Sequence, residues 1–176
     1  MKQLLCLVVF FLLSCSSVKV SYDYDQKEDY SKYQVYDFFS PMNTMLGELD
    51  SRRAIRAVDQ ILREKGFTKV QEGETPQFYV NIKSEMFQEV PSSSIGIGMG
   101  GTGADVSGGV SMGFPVGDPT LKRVIYLDMV NVKQDALFWQ ARCEVSYKES
   151  ISPGQRDAEM YKIMEKALSA FPPEKK

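Results

Sequence analysis

The sequence predicts an α+β domain with one largely antiparallel sheet and two helices packed on one of its faces, in the order β-β-α-β-β-β-α. Two observations carry this reading. Several short segments alternate apolar and polar residues with period two, and two others place apolar residues at three- and four-residue intervals. A third observation is an interruption, a glycine-dense, charge-poor stretch between the third strand and the last two.

The chain opens with Lys2 and an unbroken apolar run from Leu4 to Leu13. That run suits the hydrophobic region of an export signal and is too short to span a bilayer. It leads through Ser14 directly into Cys15, the pattern of a lipobox. Residues 1–14 are therefore expected to be a lipoprotein signal peptide, and Cys15 the lipidated first residue of the mature chain. Two or three acyl chains, each methylene worth ~0.8 kcal/mol when buried, would hold the protein on a membrane. An ordinary cut after Ser16 is the alternative, since Ser14 and Ser16 fit a small-x-small site. Residues 15–17 form a very short tether, and residues 18–173 a single domain. Residues 174–176 are a charged tail.

Within the domain, Val18 to Tyr24 alternates and reads as a half-buried strand. A charged break at 25–32 precedes a second strand, Tyr33 to Phe39, which Ser40-Pro41 ends. From Leu46 the spacing changes: Leu46, Leu49, Ile55, Val58, Ile61 and Leu62 form an apolar helix face, with arginines on the wet side and Gly66 as the stop. After the Pro76 turn, Phe78, Val80 and Ile82 begin a long strand continuing through Met86 toward Val90. Residues 95–117 hold nine of the chain's thirteen glycines and read as a loop. Val124–Val132 and Ala136–Tyr147, joined by Lys133-Gln134-Asp135, predict a hairpin. Ser152-Pro153 then opens a helix with Met160, Ile163, Met164, Ala167, Leu168 and Phe171 on its buried face, stopped by Pro172-Pro173.

Composition narrows the function. The 176 residues carry 21 basic and 23 acidic side chains, a net charge of −2, so no basic excess draws the chain to nucleic acid. Histidine is absent, which excludes Ser-His-Asp and Cys-His catalysis and removes the commonest transition-metal ligand. Of three cysteines, Cys6 leaves with the signal and Cys15 is the acylation point, while Cys143 lies in a strand and reads as a small buried hydrophobe. No catalytic residue, metal site or cofactor is expected.

Taken together, Asp23 to Phe39, Glu64-Lys65-Gly66-Phe67, the Pro76-led strand, the glycine-rich insert, Leu137 to Ala141 and Phe171-Pro172-Pro173 resemble the lipoproteins of the domain-of-unknown-function 4136 family. The resemblance covers nearly the whole mature chain and departs from the expected pattern at Ala141, where a glycine would stand. It implies an exported, lipid-anchored domain without an assigned activity.

Three features suggest sites. Gly96 to Gly101 looks like a phosphate-cradling loop, but more glycines and prolines follow where a helix N-terminus is required, so a connection between strands is the better reading. Its Met99, Met112 and Phe114 form a candidate interaction surface that orders on a partner or a lipid surface. Asp23, Asp25, Glu28 and Asp29 lack calcium-loop spacing and read as solvated turn and edge charges. The aromatic first quarter, Tyr22 to Phe39, reads mainly as core, with one face free to meet a glycan or protein. The expected function is thus a non-catalytic binding or assembly module of the cell envelope, held at the outer membrane by its N-terminal lipid, with an envelope protein or glycan as partner. An acidic-residue hydrolase acting on an envelope polymer and a small-ligand carrier are the alternatives.

Overall fold

The computed structural model describes residues 18–89, 94–96, 113–115, 120–146 and 151–174. Eight strands and two helices are defined there: β1 (Lys19–Tyr24), β2 (Val35–Phe38), α1 (Glu48–Glu64), β3 (Thr68–Lys69), β4 (Phe78–Glu89), β5 (Ser94–Gly96), β6 (Gly113–Pro115), β7 (Thr120–Asn131), β8 (Ala136–Ser146) and α2 (Pro153–Ala167). Six strands form one sheet in the order β1-β8-β7-β4-β2-β3.

The architecture is α+β as expected, and its six-stranded sheet is mixed. β1, β8, β7 and β4 pair antiparallel, whereas β2 is parallel to both β4 and β3. The physical reason is the connection: α1 carries the chain from β2 back across the sheet, and a helical crossover of this kind returns the next strand in the same direction. β3 is two residues long, too short to show any periodicity in the sequence.

The local signals at the helix ends hold. α1 stops where Gly66 takes a positive φ of 90° and the Phe67 N–H reaches back to the Leu62 carbonyl at 3.0 Å. α2 begins with a capping box: the Ser152 side chain accepts from the Gln155 amide while the Gln155 side chain accepts from the Ser152 amide. Pro153 occupies the first turn, where its missing N–H costs nothing.

Both helices cover the same face. Ala54, Val58, Ile61 and Leu62 of α1 and Met160, Ile163 and Met164 of α2 share one core with Phe78, Val80, Ile82, Ile125, Leu127, Met129, Trp139 and Cys143 of the sheet. At the β2 end that core is aromatic. Tyr33 stacks on Phe138 with ring centres 4.2 Å apart, and Phe78 and Phe171 pack edge-on or tilted around them. The adjacent Phe138 and Trp139 are both buried. A break in register between Met129 and Val130 explains how: Met129 opposes Trp139 but Val130 opposes Leu137, so a bulge turns Phe138 inward beside its neighbour.

The expected loop at 95–117 needs amendment. Ser94–Gly96 and Gly113–Pro115 pair as a two-stranded antiparallel ribbon, with Ile95 opposite Phe114. Paired residue numbers in this ribbon have the same sum as those in β4 and β7, where Phe78 opposes Asn131 and Glu89 opposes Thr120. The β5–β6 pairing therefore keeps the register of β4 and β7, although it forms a sheet of its own. Glycine has no side chain to alternate, which hid this pairing in the sequence.

Candidate interaction surface

The sheet face turned away from the helices carries ordered polar rows, because period-two alternation sends every second side chain there. Cross-strand pairing aligns Asp23, Gln140, Asp128 and Asn81 in one row and Ser21, Arg142, Tyr126 and Lys83 in the next. In the first row Gln140 Nε2 donates to Asp128 Oδ1 at 2.7 Å. Burial raises the Asp128 carboxyl above the ordinary aspartate range, against the lowering effect of the hydrogen bonds from Gln140 and Asn81. In the second row the charges are paired along their own strands: Lys83 bonds Glu85 at 3.0 Å, and Arg142 bonds Glu144. The Arg142 bond holds Glu144 below the usual carboxylate range. The surface offers amide and carboxylate groups in a flat array with little unbalanced charge, suited to a partner rich in hydrogen-bonding groups.

The sequence did not single out these residues. Their polarity at alternate positions was visible, but the register that aligns them across four strands was not.

The residues expected to act are distributed differently. Cys15, Met99 and Met112 lie outside the described residues, and Phe114 is placed by its backbone alone, opposite Ile95. The acidic group has structural duties. Asp25 accepts from the Lys27 amide at 2.8 Å, Asp29 caps the short 3-10 turn at Tyr30–Lys32, and Glu28 accepts from the Tyr33 hydroxyl at 2.9 Å while pairing with Lys32. Cys143 is buried, and desolvation pushes its thiol up to about 12.

The tyrosines fasten the core to the backbone with their hydroxyls. Tyr22 donates to the Lys166 carbonyl at 2.6 Å, Tyr30 to the Phe138 carbonyl at 2.9 Å and Tyr36 to the Asp59 carboxylate at 2.9 Å. Burial raises the Tyr30 and Tyr36 hydroxyls well above the ordinary tyrosine range. Trp139 fills the core, and its indole N–H is buried with no hydrogen-bond partner among the described residues. Between sheet and helices, a cavity bordered by Asp50, Arg123, Met160 and Ile163 measures ≈ 30 Å³, room there for one or two waters and no larger ligand.

The model for a domain of unknown function, DUF4136, matches residues 20–173. The chain belongs to the DUF4136 family. Among solved structures, a DUF4136 protein from Bacteroides thetaiotaomicron is 10% identical, with a TM-score of 0.53 over 88% of this chain and 96% of that one. A PelC dodecamer from Paraburkholderia phytofirmans is likewise 10% identical, with a TM-score of 0.51 over 87% of this chain and 96% of the other. A PDZ domain protein from Parabacteroides distasonis is 9% identical, with a TM-score of 0.56 over 99% of this chain. This chain spans only 41% of that protein's length. At such identities the likeness is one of fold. No curated protein matches the chain. Membership in DUF4136 thus joins the sequence to a fold without assigning it a reaction.

Proposed function

We propose that this DUF4136 protein is a lipid-anchored module of the bacterial cell envelope, exported by its N-terminal signal, held at the outer membrane through Cys15, and working by binding or assembly rather than by catalysis. The observation that carries the binding reading is the free sheet face, where Asp128, Gln140, Asn81 and Arg142 stand in aligned rows on a rigid sheet. Backing those rows with a packed aromatic core keeps their geometry fixed, which lowers the entropic cost of recognition. The partner in this reading is an envelope protein or glycan that meets the rows with its own donors and acceptors. Self-assembly belongs to the same reading, since PelC, which shares the fold, forms a dodecamer.

The test compares matured wild-type protein, a Cys15→Ser protein and a Gln140→Ala/Arg142→Ala double variant in affinity capture from cross-linked envelopes. The expected result is a partner held by the wild type and lost from the double variant, while circular dichroism shows both folded. Identical captures from the two would sink the sheet-face reading. Mass spectrometry of the matured N-terminus tests the anchor separately: a product beginning beyond Cys15, without lipid, removes it.

A further inference from the structure

We propose that the end of the domain at which β1 begins is a lipid-facing surface, so that the folded domain rests on the membrane through its own exposed apolar side chains as well as through the N-terminal anchor. This inference rests on the anchored reading above for its geometry and adds the surface that touches lipid.

The strand register locates that end. Lys19, the first residue of β1, opposes Glu144, which opposes Val124, which opposes Glu85. The anchor therefore leaves the sheet at the level of Glu85. From Cys15 to Lys19 there are four Cα steps, a reach of at most about 14 Å. The lipid surface cannot lie farther than that from Lys19.

Beyond Glu85, the same end carries a rim of exposed apolar side chains. Met86 is 51% and Phe87 38% exposed, one and two residues past that level. Beside them, the Ser84 amide donates to the Thr44 carbonyl at 2.8 Å, and the Thr44 and Ser51 hydroxyls lie 2.6 Å apart. These contacts bring the start of α1 to the same end, where Met45 is 65% and Leu49 62% exposed. Large apolar side chains this exposed stay in water only at a cost, and several together mark a surface that meets another apolar phase.

The hairpin points the same way. β4 runs on past Glu85 to Glu89, which pairs with Thr120 at the start of β7, so the hairpin leaves the sheet from this same end.

The test uses matured protein purified from envelopes, with the mass at Cys15 measured first, so that the anchor and the surface are judged apart. An environment-sensitive fluorophore is placed at Leu49→Cys, Phe87→Cys and, at the opposite end, Leu137→Cys. Wild-type protein reports background labelling, and the buried Cys143 stays unlabelled in the folded chain. The proteins are bound to phosphatidylethanolamine and phosphatidylglycerol vesicles containing doxyl-labelled lipid. The inference expects about two-fold or more greater quenching at positions 49 and 87 than at 137, as for side chains seated in the interface. Equal quenching at all three positions overturns it, even where lipid is found on Cys15. A blue shift at 49 and 87 without quenching also overturns it, and assigns the rim to contact with a second copy. Where Cys15 carries no lipid, the same vesicles are added to the free protein: quenching at 49 and 87 upholds the surface, and none overturns it.

Discussion

The β4–β7 and β5–β6 pairings share one register but not one environment. In the body, β4 is flanked by β2 and β7, and β7 by β4 and β8, with both helices seated on the core face. In the arm, β5 pairs with β6 and forms a sheet of its own. Register propagates along a hairpin because each pair fixes the next, whereas stability depends on what the strands bury. Among the described residues, the body is therefore where the buried core that stabilises the sheet is found.

Phe78→Ala strikes hardest at the body. Phe78 is fully buried among Tyr33, Tyr36, Phe67, Phe138 and Phe171. Its truncation is expected to cost ~3–5 kcal/mol, measured as a lowered midpoint in urea with an unchanged slope. A loss below ~1 kcal/mol would mean that the aromatic end is not the main source of stability.

A smaller effect is expected from Trp139→Phe. The indole N–H has no partner to lose among the described residues, so the cost is confined to volume, ~1.5 kcal/mol or less. A loss comparable to that at Phe78 would reveal a hydrogen bond at Nε1.

Smaller still is the response to replacing residues 94–115 with Asn-Gly. Shortening the connection from thirty residues to ten reduces closure entropy, so the body is expected to gain ~1 kcal/mol. Destabilisation by this change would show that the arm supports the sheet.

The least change in overall stability is expected from Asp128→Asn. The raised carboxyl of Asp128 means that its ionisation disfavours the folded state. Its contribution to stability is highest below the ordinary aspartate range and declines as pH rises from there through the raised value. The amide introduced by the substitution can still accept from Gln140 and does not titrate. The variant should therefore gain on the wild type as pH rises across that window, in paired denaturant titrations at stepped pH. Parallel curves would contradict the burial effect.

Much of the body was legible in the sequence, because its elements carry their own signals. Phe78, Val80 and Ile82 mark β4, Leu62 and Gly66 mark the end of α1, and Ser152-Pro153 marks the start of α2. What the sequence hid were relations between distant segments. The parallel pairing of β2 with β4 depends on where α1 returns the chain, and the row of Asn81, Asp128 and Gln140 depends on register. The bulge at Phe138 left a run of apolar residues whose phase was ambiguous. In the arm the difficulty was different in kind, since Gly96 and Gly113 oppose each other with no side chain to announce a strand.

Body and arm stand or fall together on their common register, which cross-strand contacts in NMR spectra of the matured chain read out residue by residue. Ile95 backbone protons should show contacts to Phe114, as those of Ile82 do to Leu127, with the Ile95 amide exchanging faster than that of Ile82. Contacts from Ile95 to a position displaced along the opposite strand, or to none, would contradict that common register.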